Sequence, residues 1–84
     1  MVVWDRNEVV NSKSKLGGAE LKSLDLSGLD LSKANLISAN LVSANLREVS
    51  LVGANLFSAK AMRTDFSGAN LSGANFLKAN LTGA

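Results

Sequence analysis

The chain has 84 residues, of which 46% are hydrophobic and 19% are charged, and nine basic against seven acidic side chains leave a net charge of +2. This length allows one domain, and the lack of cysteine excludes a disulfide framework, thiolate chemistry and a cysteine-rich metal site. The positive excess is divided evenly between residues 1–18 and 19–84, so no charged block indicates an arm that binds nucleic acid.

The N-terminal segment, residues 1–15, does not follow the pattern of the rest of the chain. Asp5 with Glu8 three residues later resembles the capping box of a helix start. We therefore expect a short helix over residues 6–12. It is followed by Ser14 to Gly18, a partly degenerate unit that joins the helix to the repeats.

Two apolar side chains of this segment, Trp4 and Val9, occupy the positions of a hydrophobic staple, and we expect them to fold over the first coil of the repeats. A role of Trp4 in stacking on a ligand is the alternative. Asp5 and Arg6 follow the first four residues at once, so the start lacks the basic and apolar regions of a secretory signal. The expected location is the cytoplasm.

From Ala19 to Gly83 the sequence repeats every five residues through thirteen units, without insertion or deletion. Each unit has a small position, a polar position, a centre and two outer positions. The small position holds nine Ala, the polar position holds seven Asn and three Asp, and the centre holds ten Leu with two Phe and Ala61. The large centre residues are predicted to form the core: Leu21, Leu26, Leu31, Leu36, Leu41, Leu46, Leu51, Leu56, Phe66, Leu71, Phe76 and Leu81.

A period of five matches neither the 3.6 residues of a helical turn nor the two of a strand. A backbone that makes a short extended step and then a corner, once per unit, would keep the small position and the centre inside. Stacked coils of this kind pair their backbone groups with the coil above, which is how solenoids satisfy their amides.

Units such as Ala34-Asn35-Leu36 and Ala44-Asn45-Leu46 make tandem A(N/D)LXX repeats, which resemble the pentapeptide repeat family. The resemblance implies an all-β fold, the right-handed quadrilateral β-helix, with four units per coil, so that residues twenty apart stack. We expect such a solenoid over residues 16–84, closed at its start by the helical cap of residues 1–15. Asn35, Asn55 and Asn75 would then stack, and an amide ladder could support them.

The unit Ala59 to Arg63 is the weakest, because its centre is Ala61. Its coil also contains Phe66 and Phe76, and we favour volume compensation by these rings over a cavity. Ala84 opens a fourteenth unit, and no lid follows it. The bare end is expected either to continue in a longer chain or to pair end to end with another copy.

Catalysis is not indicated, because the chain has no His, Cys or Tyr, and hence no Ser-His-Asp or Cys-His arrangement. Asp25 and Asp65 share a face but lie two coils apart, with Asn45 between them. Ser-Gly pairs such as Ser27-Gly28 lack the Lys-Ser/Thr and the following helix of a phosphate loop. We expect no enzyme activity, small-molecule substrate, cofactor or metal.

When residues twenty apart are aligned, as coils of four units imply, Ile37, Phe57 and Leu77 fall in one outward column and Val42 and Met62 in the next. This apolar strip indicates a contact surface for a protein partner or a second copy. The simpler interpretation is that isolated outward apolar residues merely suit a pleated surface.

The expected function is therefore a rigid, non-enzymatic scaffold for protein contacts. Some pentapeptide repeat proteins resemble a DNA duplex and bind type II topoisomerases in its place. That alternative requires a long rod rich in Asp and Glu, whereas residues 19–84 are short and carry a net charge of +1. Direct binding of nucleic acid is no better supported, since Lys60 and Arg63 lack interleaved aromatic residues.

Overall fold

The computed structural model describes residues 3–84 and begins with helix α1, Arg6–Asn11, followed by a 3₁₀ helix, Lys13–Lys15. The Asp5 side chain caps α1 by accepting a 2.8 Å hydrogen bond from the Glu8 N–H. Ser12 is the C-terminal cap, so α1 ends one residue before the expected end. Val9 is fully buried in the core, and Trp4 packs against that core while remaining partly exposed.

From Glu20 to Asn80 the backbone winds into coils held by nine parallel bridges, each joining polar positions twenty residues apart. Four five-residue units therefore complete one coil, as expected. Among residues 3–84, strand character is confined to these single bridging residues, with a turn after each. The described chain measures 27 × 20 × 18 Å along its principal axes.

Three kinds of backbone hydrogen bond join each unit to the next coil. The N–H of a centre residue and that of a second outer residue donate to the coil below, as Leu21 does to Asn40 at 2.8 Å and Ser23 to Val42 at 2.9 Å. In return, the Asn40 N–H donates to the Ala19 carbonyl at 2.9 Å. The coils between the two ends of the solenoid thus pair their backbone amides with the neighbouring coils, as a strand does in a sheet.

Every corner is a β-turn whose two central residues are the outer positions. In one such turn the Ala34 N–H donates to the Leu31 carbonyl at 3.1 Å. The second outer residue has a positive φ, between 56° and 71°, in all fourteen units from Gly18 to Gly83. Since the first outer residue does not, the corners have the pattern of type II turns.

Six of the seven glycines occupy this second outer position, because glycine tolerates left-handed backbone conformations at no steric cost. Ser, Lys, Glu or Arg occupies it in the other eight units. The concentration of glycine in the second outer position was a sequence signal for a left-handed corner, and the prediction of two equivalent outer positions missed it.

The core is a column of leucines stacked from coil to coil, and Val9 of α1 belongs to the same buried cluster. The centre residues of the upper coils are 0% exposed, and they are Leu16, Leu21, Leu26, Leu31, Leu36, Leu41, Leu46, Leu51 and Leu56. In the last coil, Phe66 and Phe76 are half-buried, while Leu71 and Leu81 are 36% and 42% exposed. The prediction of a buried core position is wrong for Leu71 and Leu81, because no coil lies below them in the described chain.

The unit with the small centre residue Ala61 shares its coil with the two Phe centres. Ala61 is fully buried, and the rings of Phe66 and Phe76 in the same coil meet edge to face at a centroid distance of 5.9 Å. This arrangement agrees with volume compensation. Thr64, the one polar residue in the small column, is buried and donates its hydroxyl to the Leu41 carbonyl at 2.7 Å.

The polar position acts within its own corner. The Asn35 Oδ1 accepts from the Ile37 N–H at 3.1 Å, a local turn in which a side chain replaces a backbone acceptor. All seven Asn and all three Asp of this column do the same. The amide oxygens of Asn35, Asn55 and Asn75 are therefore used in turns rather than in the expected ladder.

Candidate protein-contact surface

One side of the solenoid lies between two corners that carry apolar first outer residues. The first corner bears Ile37, Phe57 and Leu77 in successive coils, and the next bears Val42 and Met62. Between them run the polar positions of this side, Glu20, Asn40, Lys60 and Asn80, which the parallel bridges place in one line. We call this the apolar–basic side.

The apolar residues of this side differ widely in exposure. Leu77 is 63% exposed and Ile37 is 36% exposed, whereas Phe57 and Met62 are half-buried. Val42 is only 8% exposed and belongs to the buried residues. Its expected place on an exposed strip is therefore wrong.

Neighbouring coils decide this exposure. In its column Val42 lies between Lys22 and Met62, the long first outer residues of the coils above and below. Ile37 instead lies below Gly17, which has no side chain, and a Cβ added to Gly17 would be 3.7 Å from the Ile37 carbonyl. An apolar outward residue thus stays exposed where a neighbouring coil places a small residue beside it.

Val52, which the sequence analysis missed, follows the same rule. It is 37% exposed at the corner that precedes Phe57 along the chain, and Ser32 and Ser72 occupy its position in the adjacent coils. The column of first outer residues, taken through all units, contained the signal. Val52 lies one corner away from Phe57, outside the apolar–basic side.

Exposed cations accompany the apolar residues: Lys22 lies in the first coil, and Lys60, Arg63 and Lys78 lie in the lower half of this side. The Lys78 Nζ lies 5.8 Å from the ring centroid of Phe57, so this ammonium covers part of the aromatic face. The one carboxylate on this side, Glu20, accepts a 2.9 Å hydrogen bond from the Asn40 Nδ2. The lower half of the apolar–basic side therefore presents positive charge without a carboxylate.

The acidic residues lie around the other corners. Asp25 and Asp65 lie in one column with Asn45 between them, as expected. The Ser27 hydroxyl donates to the Asp25 carboxylate at 2.7 Å and lowers the pKa of that group, and Arg6 beside it acts in the same direction. Ser32 and Ser67 lower the pKa values of Asp30 and Asp65 in the same way.

These Ser–Asp pairs recur at three corners, so they belong to the repeat and do not mark a catalytic pair. Arg47 lies 3.9 Å from the Asp65 carboxylate, and both side chains are well exposed. In the chain from residue 3 to residue 84, no group of three His, Cys, Asp or Glu residues could hold a metal ion. Over the same residues, neither helix has the length and apolar character needed to cross a membrane.

Comparison with known families agrees with the five-residue geometry. The sequence profile described as "Pentapeptide repeats" matches residues 14–51 and 50–84, with eight copies. Among curated proteins, none matches the chain well enough to count as a relative.

Solved structures of pentapeptide repeat proteins are similar to this chain. One from the thylakoid lumen of Arabidopsis thaliana shares 30% identity at a TM-score of 0.83, covering 94% of this chain and 53% of its own. HetL of Nostoc, involved in the regulation of heterocyst differentiation, shares 29% identity at a TM-score of 0.66. The match covers 76% of this chain and 35% of HetL. A further Nostoc pentapeptide repeat protein shares 37% identity at a TM-score of 0.65, and the match covers 90% of this chain and 72% of that protein.

The chain spans about half of the Arabidopsis protein and about a third of HetL. Similarity to these structures implies that the coils form a right-handed quadrilateral β-helix.

Proposed function

Because the chain belongs to the pentapeptide repeat family, we propose that it is a non-enzymatic scaffold whose apolar–basic side binds a protein partner. The repeat supplies a rigid rod, and the outward side chains are what a partner meets. The observation that supports this most directly is the combination on one side of four apolar residues with exposed cations: Ile37, Phe57, Met62 and Leu77 with Lys60, Arg63 and Lys78.

The composition of this side is typical of protein interfaces. Aromatic residues, Met and Arg are enriched where proteins meet, and Phe57, Met62 and Arg63 are of these types. Large apolar side chains on a soluble surface are informative when they are contiguous. Here the bridges between coils place Ile37, Phe57 and Leu77 directly in line.

The charges specify the chemistry of the partner. Lys60, Arg63 and Lys78 would face the same three cations if two copies met symmetrically through this side, and like charges in an interface are repulsive. The three cations instead favour a partner that surrounds an apolar patch with Asp and Glu. We therefore assign the apolar–basic side to an acidic protein of another kind.

A DNA-mimicking role, in which the rod binds a topoisomerase, is not favoured by the charges. Residues 19–84 carry six basic and five acidic side chains. The acidic groups do not form a continuous surface, since Asp65 lies near Arg47 and Asp25 near Arg6. Such a rod lacks the negative potential of a duplex.

We also propose that the N-terminal segment, residues 1–15, serves as the cap of the solenoid. Val9 belongs to the same buried cluster as Leu16, and the Lys13 carbonyl accepts from the Asn35 N–H at 2.8 Å. An open solenoid end exposes unpaired strand groups, and a helix laid over it protects them.

The test uses the double variant Ile37→Ser with Leu77→Ser and the matched control Val52→Ser, which removes a comparably exposed apolar residue away from the three cations. Immobilised wild type and variants are exposed to an extract of the native host, and the captured proteins are quantified. We expect an acidic protein that wild type and the control retain and that the double variant loses at least about tenfold, since each apolar anchor contributes more than 1 kcal/mol.

Raising the salt concentration should weaken the same complex, because the cations contribute to it. Equal capture by all three proteins, with their thermal melting unchanged, would contradict the assignment of this side.

A further inference from the structure

Long charged side chains at the left-handed corners are followed by glycine in the next coil. Four such residues occupy second outer positions: Lys33, Glu48, Arg63 and Lys78. For the first three the sequence extends twenty residues further, and the residues found there are Gly53, Gly68 and Gly83. The serines of the same position are followed at twenty by Ser, Arg or Lys instead. The glycines are therefore placed by what lies above them as well as by their own backbone.

Contacts between the coils give the physical reason for this pairing. A Cβ added to Gly68 would lie 3.1 Å from the Glu48 Cγ, which is closer than the ordinary contact distance between carbon atoms. One added to Gly83 would lie 3.3 Å from the Cγ of Arg63. The stem of each long side chain thus rests on the bare backbone of the glycine one coil below.

The third pair is looser but has the same arrangement. A Cβ added to Gly53 would lie 3.5 Å from the Cγ of Lys33, in van der Waals contact with the stem. Each stem therefore points along the rod towards the next coil, and the charge it carries lies flat against the corner.

Other glycines of this position have no side chain above them. A Cβ added to Gly73 would meet the backbone of Gly53 at 3.7 Å, and one added to Gly28 would meet nothing within 4 Å. Gly68 and Gly73 have almost the same φ, 70° and 69°. The two groups of glycines thus differ in their neighbours and agree in their backbone.

From these contacts we propose that the glycine twenty residues later is a positioning residue for each long charged side chain of a corner. Gly83 in this way fixes the Arg63 charge beside the apolar–basic side. A partner then meets a cation whose stem is already ordered, so less side-chain freedom is lost on binding. The use of Arg63 by a partner rests on the proposed function, whereas the packing of its stem on Gly83 does not.

Alanine in place of such a glycine has two separate consequences. Its left-handed backbone is unfavourable at any corner. Its Cβ also displaces the stem from above, which must shift by a few tenths of an ångström or turn to another rotamer. Only the second consequence depends on the long residue of the preceding coil.

The first experiment separates the two consequences by a double-mutant cycle. Gly68→Ala is made in wild type and in Glu48→Ala, and Gly73→Ala is the control with the same φ. We expect Gly68→Ala to lower the melting temperature by at least about 2 °C more than Gly73→Ala. In the Glu48→Ala background this excess should disappear. Equal losses at the two glycines in wild type would overturn the proposal, as would an excess that persists without Glu48.

The second experiment follows the Arg63 charge itself, and it remains informative if Gly68→Ala does not fold. Motion of an arginine Nε–H group on the picosecond to nanosecond scale is measured by its heteronuclear NOE in ¹⁵N NMR. We expect Gly83→Ala to lower the NOE of Arg63 towards that of the exposed Arg47, and Gly73→Ala to leave it unchanged. An Arg63 signal that Gly83→Ala does not alter would contradict the positioning role.

Neither measurement involves a binding partner. A failure of the stem to respond to alanine therefore removes the positioning role and leaves the proposed partner surface as it stands. Conversely, if no acidic protein were captured, the melting and NMR results would still decide whether glycine orders the long side chains.

Discussion

The upper coils and the last coil share one repeat but bury it to different extents. Leu26 and Leu46 are 0% exposed, whereas Leu71 and Leu81, at the same position of their units, are 36% and 42% exposed. The corner turns and the polar side-chain hydrogen bonds are the same in both regions. The local structure of a unit is therefore set within five residues, and its burial is supplied by the coil that follows.

The last coil differs in sequence as well as in place. It contains both Phe centres, and their edge-to-face contact lets each ring pack against a partner in its own layer. Leucines, which are smaller, are covered in the upper coils by the layers above and below. The Phe66–Phe76 pair thus supplies within one coil part of the contact that the upper coils obtain from two.

The largest effect should come from placing a charge at equivalent centres in the two regions. Leu46→Asp buries an unpaired carboxylate in a closed interior, and we expect it to cost on the order of 5 kcal/mol or more and to unfold the chain. Leu81→Asp should cost about 1–2 kcal/mol, because its carboxylate can reach water and only part of the leucine area is lost. Chemical denaturation followed by circular dichroism measures both.

Arg47→Asp, next to Leu46, is the control for an added carboxylate at an outer position. It should change stability by no more than about 1 kcal/mol, since the ion pair it removes is solvent-exposed. If Leu46→Asp and Leu81→Asp were equally damaging, the contrast between the two regions would be wrong.

A change in the corner should have a smaller effect that is equal in both regions. Gly28, in the first coil, has a φ of 71°, and Gly73, in the last, has a φ of 69°. A Cβ would find open space at Gly28 and ordinary contact distances at Gly73. Replacing either glycine with alanine should cost about 1 kcal/mol, because an L-residue pays for the left-handed conformation.

The two melting temperatures should therefore fall together when measured by calorimetry. A much larger loss at Gly28 would mean that the corners depend on coil position after all.

The smallest effect concerns acid. Asp25 and Asp30 in the first coil and Asp65 in the last have pKa values below 3.8 because neighbouring serine hydroxyls donate to them. A carboxyl group whose pKa is lowered by folding stabilises the protein fully above its unfolded pKa, and this contribution is lost as pH falls through the lower folded value. The melting temperature should thus fall slightly below pH 3.8, the ordinary aspartate pKa.

The triple variant with Asn at these three positions keeps the turn acceptor but cannot titrate. Its melting temperature should be less sensitive to acid than that of wild type. A wild-type acid response that persists unchanged in the triple variant would assign the effect to other carboxyl groups.

Much of the fold followed from the sequence because a five-residue period has one simple structural solution. The buried leucines from Leu21 to Leu56 and the helix start at Asp5 were predictable from neighbours close in sequence. The twenty-residue stacking was implied by the resemblance to pentapeptide repeat proteins. The exposure of Val42 and Val52 was not. It depends on the residues twenty positions away on both sides, which are long beside Val42 and short beside Val52.

The hydrogen bonds of the Arg6 guanidinium to the Asp25 and Ser27 carbonyls, in the first coil, were equally hidden. The spacing of nineteen residues between Arg6 and Asp25 matches the hydrogen-bond register, but Arg6 lies in a helix outside the repeat. Only the position of α1 over the upper edge brings its side chain to the two carbonyls.

The amino-acid sequence alone determined the repeat, the inward leucine column and the corners, because these depend on steric preferences and hydrogen bonds within a few residues. The tertiary structure decided which outward residues reach solvent and how the upper edge is closed. Those features depend on which side chains meet when the coils and α1 stack. Residues that are far apart in the sequence meet there, so the local sequence does not specify the contacts.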